Sequence, residues 1–157
     1  MMNDKVNNMK KMLVAMAMLI LVSAAHAEKN RDEFGLGLVV GEPTGLNAQF
    51  FWDRAASVDV TAAWSWSEWL LLSADFQMYD YVMDMPREWK WYYGFGGYLS
   101  VDDDDDNRFG VRVPLGLRYS IPYTVMDVWA EAAPGMELAP DTKVSVQAGL
   151  GLTFWLW

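Results

Sequence analysis

The sequence predicts an all-β protein, an eight-stranded antiparallel up-and-down transmembrane β-barrel, and three observations carry that expectation. Apolar and non-apolar residues alternate with period two through most of the chain after residue 27, the signature of strands whose two faces differ. Turn residues divide this alternation into an even number of segments, as bacterial single-chain barrels require. No apolar run after residue 27 is long enough for a membrane helix, so a membrane location demands a closed barrel.

Residues 1–27 read as a signal peptide, cleaved before Glu28. Lys5, Lys10 and Lys11 supply a positive start, "MLVAMAMLILV" is an apolar stretch of the right length, and "SAAHA" sets Ala25 and Ala27 as small residues at the cleavage point. Residues 28–157 are then one exported domain, with the bacterial outer membrane as its expected location. The whole chain carries 12 basic and 21 acidic residues; the signal holds three lysines and Asp4, which leaves nine against twenty. So acidic a balance argues against nucleic acid, which needs basic stripes. The chain has no cysteine, so neither a disulfide framework nor a lipoprotein anchor is available.

The segments run in order as follows. In residues 33–41, Phe34, Leu36, Leu38 and Val40 alternate with Gly35 and Gly37, and "EPTG" places Pro and Gly where a tight turn wants them. In residues 46–52, Leu46, Ala48, Phe50 and Trp52 alternate with Asn47 and Gln49; this segment is short against the 9–11 residues of a tilted spanning strand. Residues 57–67 set Val58, Val60, Ala62, Trp64 and Trp66 against Asp59, Thr61 and Ser65. Residues 69–80 set Leu70, Leu72, Phe76 and Met78 against Ser73, Asp75 and Gln77. A long connection follows, in which Trp89, Lys90 and Trp91 suit a headgroup layer. Residues 91–101 alternate Tyr93, Phe95 and Leu99 with Gly94 and Gly96, and "DDDDDN" breaks the chain. Residues 108–121 place Phe109, Val111, Val113, Leu115 and Leu117 opposite Arg112, Gly116 and Arg118. Residues 126–138 place Val128, Ala130, Ala132, Met136 and Leu138 opposite Asp127, Glu131, Gly135 and Glu137. After "APDTK", residues 144–157 alternate Val144, Val146, Leu150, Leu152, Phe154 and Leu156 with Gln147, Gly149 and Gly151.

Which face is inside follows from volume. Large apolar residues occupy one face of all eight segments, more than the interior of one small barrel holds. The other face is rich in glycine, which suits a crowded interior. The apolar face is therefore expected to meet lipid. Aromatic residues gather at segment ends, as girdles at a headgroup layer do; the expected members are Trp52, Trp64, Trp66, Trp69, Trp91, Tyr119, Trp129, Trp155 and Trp157.

On these residues the chain resembles the small outer-membrane barrels of the OmpX and OmpA-transmembrane-domain type. It is similar, more specifically, to a group of small bacterial outer-membrane β-barrel proteins with a "GEPTG" first hairpin. Residues 41–45, "GVRVPLGLRY" at 110–119 and "LAP" at 138–140 carry that likeness. The resemblance implies the barrel fold and no reaction. The alternating apolar terminus also looks like the signal read by the outer-membrane barrel assembly machinery.

Candidate chemistry is confined to a few groups. Asp59, Asp75, Glu131 and Glu137 share the lumen face with Arg112 and Arg118. In so narrow a space these charges must pair, which makes a plug, with a gate in an ion path as the rival reading. The one histidine is His26, inside the signal, so the mature chain has neither imidazole base nor cysteine nucleophile and no enzyme is expected. Residues 102–106 offer carboxylates to a divalent cation but lack the spacing of a calcium loop; a solvated loop is the plainer expectation. "GEPTG" lacks the lysine and helix of a phosphate loop. No cofactor or metal is expected. The expected partners are outer-membrane lipid and lipopolysaccharide, with the assembly machinery during biogenesis, around a monomer. The expected role is structural or surface-interactive; the alternatives are a narrow channel for ions or small solutes, or a soluble periplasmic carrier of lipocalin type with its apolar face inside.

Overall fold

Alternation of apolar and polar side chains cannot be satisfied by an open sheet in a chain with no second layer, and the sheet closes on itself. The structure, a computed structural model, describes residues 34–42, 44–64, 70–101 and 107–156. The expected signal peptide, Trp66, Trp69, residues 102–106 and Trp157 lie outside the described residues. Among the described residues nine antiparallel strands are present: β1 (Phe34–Glu42), β2 (Gly45–Phe51), β3 (Ala56–Trp64), β4 (Leu70–Tyr81), β5 (Trp89–Val101), β6 (Arg108–Arg112), β7 (Leu115–Ser120), β8 (Met126–Ala139) and β9 (Lys143–Trp155). β1 to β5 pair in sequence order, β6 and β7 each pair with both β5 and β8, β8 pairs with β9, and β9 returns to β1 from Gly35↔Trp155 to Glu42↔Ala148, so the ring is closed. Closure removes the sheet edges that apolar strands cannot leave open.

The sequence expectation of one strand over residues 108–121 needs correction: it is divided into β6 and β7. Both halves pair with β5 and with β8, and the register is the same on the two sides of the break. They therefore occupy one place in the ring. The cause is Pro114, which has no N–H to donate to the ladder. Gly94 N still donates to the Pro114 carbonyl at 2.9 Å, and Val113 N to that of Pro134 on β8 at 2.9 Å.

The burial pattern is the reverse of a water-soluble protein's. Asn47, Gln49, Ser57, Asp75, Gln77, Arg112, Arg118 and Thr153 are buried, whereas Leu38, Val40, Phe95, Leu117, Val146 and Leu150 are exposed. Among the described residues most of the buried side chains are polar and the outward ones apolar, the reverse of a lipocalin-type carrier; Ala63, Leu71 and Tyr98 form a small apolar cluster inside. At the end of the barrel where β4 passes to β5, Phe51, Tyr79, Tyr92 and Trp155 pack together inside.

Candidate functional site

The site is the lumen, and register builds it. Asp59 on β3 is the Cα partner of Asp75 on β4, Asp75 is that of Gly96 on β5, and Gly96 is that of Arg112 on β6. Gly96 carries no side chain, so Arg112 reaches across β5 to the carboxylate of Asp75. Its Nε donates to Asp75 Oδ1 at 2.9 Å and its Nη2 to Oδ2 at 2.6 Å. The same Nη2 lies 2.9 Å from Glu131 Oε1 on β8, and Nη1 donates to the amide oxygen of Gln147 on β9. One guanidinium thus ties four strands together across the lumen, in the forked geometry that suits carboxylates.

A second glycine repeats the device. Gly116 on β7 is the Cα partner of Tyr92 on β5 and of Glu131 on β8. The Tyr92 ring lies over it, and its hydroxyl donates to Glu131 Oε2 at 2.9 Å. Gln77 Nε2 donates to the same oxygen at 3.3 Å and Gln49 Nε2 to Gln77 Oε1 at 3.0 Å, while the Tyr79 hydroxyl donates to Gln77 Oε1.

Closer to the aromatic end, Arg118 forms a further buried ion pair, Nη1 to Asp127 Oδ2 at 3.3 Å. Its guanidinium lies over the rings of Tyr79 at 5.3 Å and Trp155 at 5.6 Å, a cation–π arrangement that replaces lost hydration. A cavity of about 20 Å³ remains beside Asp59, Thr61, Arg112, Glu131 and Gln147. That is room for about one water.

The six charged residues singled out in the sequence all face inward, in different company. Asp75, Arg112 and Glu131 meet in one cluster, and Arg118 stands apart with Asp127. Asp59 makes no ion pair among the described residues: neutral donors hold it, Asn47 Nδ2 on Oδ2 and Thr61 Oγ1 on Oδ1 at 3.2 Å. The register opposite Asp75 brings it within reach of amide and hydroxyl first. Glu137 is buried further along β8, with Gly110 and Lys143 as Cα partners. Asp127, Gln77, Tyr92 and Gln147 complete the network and were not singled out. Asp127, Gln77 and Gln147 share the inward parity; Tyr92 was hidden by its place near a strand end.

Two expected girdle residues need correction. Trp129 is buried in the lumen, lies against Gly151 and donates from Nε1 to Thr153 Oγ1 at 3.0 Å. Trp155 packs inside on Phe51, ring centroids 5.4 Å apart. Both share the parity of Thr153, and parity decides the face. Trp52, Trp64 and Trp91 point outward and are exposed; Tyr119 is half-buried outside against Trp89, centroids 4.8 Å apart.

Fold and site together define a closed antiparallel β-barrel with a largely polar, ion-paired interior and an apolar exterior. No family model matches the chain, and neither does any curated protein. Among solved structures, it is similar to the crystal structure of the N-terminal β-barrel domain of Pseudomonas aeruginosa OprF. The TM-score is 0.61 and the identity 13%, over 82% of this chain and 100% of that one. The likeness is one of fold.

Proposed function

We propose that the chain is a small integral outer-membrane β-barrel with a structural or surface-interaction role, its lumen closed by the Asp75–Arg112–Glu131 cluster and the polar side chains around it. The observation that carries this reading is the exposed apolar exterior. Leu38, Val40, Phe95, Leu117, Val146 and Leu150 are each about half exposed or more, far beyond the scattered apolar residues of a water-soluble surface. Lipid is the solvent such a surface suits. The likeness to an outer-membrane barrel domain supports the same reading. The cavity beside the cluster has room for about one water, which supports a plug over a channel.

The test is fractionation of the host envelope followed by electrophoresis with and without boiling. Sedimentation with the outer membrane and a band that shifts on heating are expected. Recovery in the aqueous fraction with no shift would refute the membrane reading. Planar-bilayer recording is expected to show no current steps; discrete steps altered by Arg112→Ala would replace the plug with a gated channel.

A further inference from the structure

The wall of the barrel is uneven in height. β2 has seven residues between two hairpins, whereas β8 has fourteen and β9 thirteen. Strand rise and the usual barrel tilt give about 2.5 Å of wall per residue. Outward apolar side chains over β2, Leu46 to Trp52, thus cover about 15 Å, against about 25 Å over β8 from Val128 to Leu138. A lipid-facing band is about 25 Å tall. The β2 side falls well short of it.

The short side also leaves its neighbour open. β1 pairs with β9 only as far as Glu42↔Ala148, so residues 143–147 of β9 pair with β8 alone among the described residues. Peptide groups on that edge face the space above the β1–β2 hairpin, and hydrocarbon does not tolerate an unpaired strand edge. Yet the side chains pointing outward at this height are apolar: Val144 is 81% exposed and Val146 68%, with Met136 and Leu138 beside them on β8. A flat membrane surface meets one demand or the other. A surface that steps down by roughly 10 Å over a few residues of wall meets both.

We propose that the space above the β1–β2 hairpin is a notch into which the lipid headgroup layer of the facing leaflet descends, so that the barrel thins the bilayer on that side. The proposal rests on the membrane reading above. Polar demand identifies the occupant: the open edge needs hydrogen-bonding partners in a sector whose surroundings are otherwise acyl chains, and headgroups with their water supply them. The lumen cavity borders the same sector through Val39, Gln147, Ala148 and Gly149, so the notch lies beside the polar interior.

The chain has no cysteine, so single nitroxide labels are straightforward. Thr44→Cys at the hairpin, Val144→Cys on the tall wall and Leu150→Cys at mid-wall are placed in phosphatidylcholine vesicles. Collision with oxygen, which favours hydrocarbon, is compared with collision with a water-soluble nickel chelate. Thr44 is expected to be nickel-dominated and Val144 and Leu150 oxygen-dominated, with the ratio of the two rates differing severalfold. Val144 lies further out along the wall, so a drier label there is an inversion that a flat surface does not produce. Should Thr44→Cys not fold, Glu42→Cys reports the same turn. An oxygen-dominated hairpin overturns the proposal, as does a nickel-dominated Val144, which would mean a tall wall projecting into water. A Thr44 label shielded from both reagents and broadened by a second spin means that another copy fills the notch, and also overturns it. A nickel-dominated Leu150 would instead sink the membrane reading itself.

Discussion

Replacing Gly96 by alanine tests the lumen cluster at the place where it depends on a missing side chain. A Cβ at Gly96 would stand 2.0 Å from Asp75 Oδ1, 2.3 Å from the Ala74 carbonyl oxygen and 2.7 Å from Asp75 Cα. The last two are backbone and cannot retreat without opening the β4–β5 ladder. Overpacking of this kind costs about 1–3 kcal/mol. Displacing Asp75 moves a buried pair toward the state in which one partner is lost, whose full cost is about 3–5 kcal/mol. The stiffer backbone of alanine returns about 0.5–1 kcal/mol. A net destabilisation of about 2–4 kcal/mol is expected. With a urea slope of about 2 kcal/mol per molar, the unfolding midpoint falls by about 1–2 M. The assay is urea unfolding of the refolded barrel in detergent, read by the heat-shifted band and by tryptophan fluorescence. Gly97→Ala is the control, because its Cβ would point outward with one neighbour, the Gly110 carbonyl oxygen at 3.3 Å. Gly97→Ala is expected to leave the midpoint unchanged or slightly raised. Equal midpoints for the two variants would show that the cluster does not depend on the gap at Gly96.

Gly116→Ala is expected to lower the same midpoint by about 1–2 M, since its Cβ would meet the Tyr92 ring at 2.2 Å; an unchanged midpoint would mean that Tyr92 swings away from Glu131 without cost. Arg112→Ala leaves Asp75 and Glu131 buried without their cation and should cost about 3–5 kcal/mol. Asp75→Ala added to Arg112→Ala should cost less than the sum of the single changes, and strict additivity in the double-mutant cycle would argue against a shared cluster. Brominated lipid should quench the fluorescence of a variant keeping only Trp52 or Trp91, and spare one keeping only Trp129. Quenching of Trp129 would place it on the outside after all.

The division of residues between the two faces was legible because strand parity needs no knowledge of partners. Leu38 and Asn47, Phe76 and Asp75, Leu117 and Arg118 go to opposite sides on alternation alone. What register decides was not legible. Asp59 and Arg112 share a face, yet the ring places Asp75 between them, and Asn47 and Thr61 reach Asp59 first. Gly96 and Gly116 read as small lumen residues; that each is the gap through which a contact passes depends on which residues stand on either side. Trp129 and Trp155 were assigned by their nearness to strand ends, and their inward parity overrides that. The break at Pro114 was written in the sequence as a proline within an apolar alternation, but the neighbouring strands hold the register across it.

That break has a counterpart. Pro114 and Pro134 lie in neighbouring strand places, and each receives one hydrogen bond through its carbonyl while returning none through its nitrogen. In the finished barrel the loss is two ladder bonds. Before closure both strand places are edges, and unpaired edges are what other strands add to. A proline in each denies any incoming strand a continuous row of donors. Only Pro114 leaves a visible break, between β6 and β7; β8 runs on through Pro134, so one proline interrupts a strand and the other is absorbed by it.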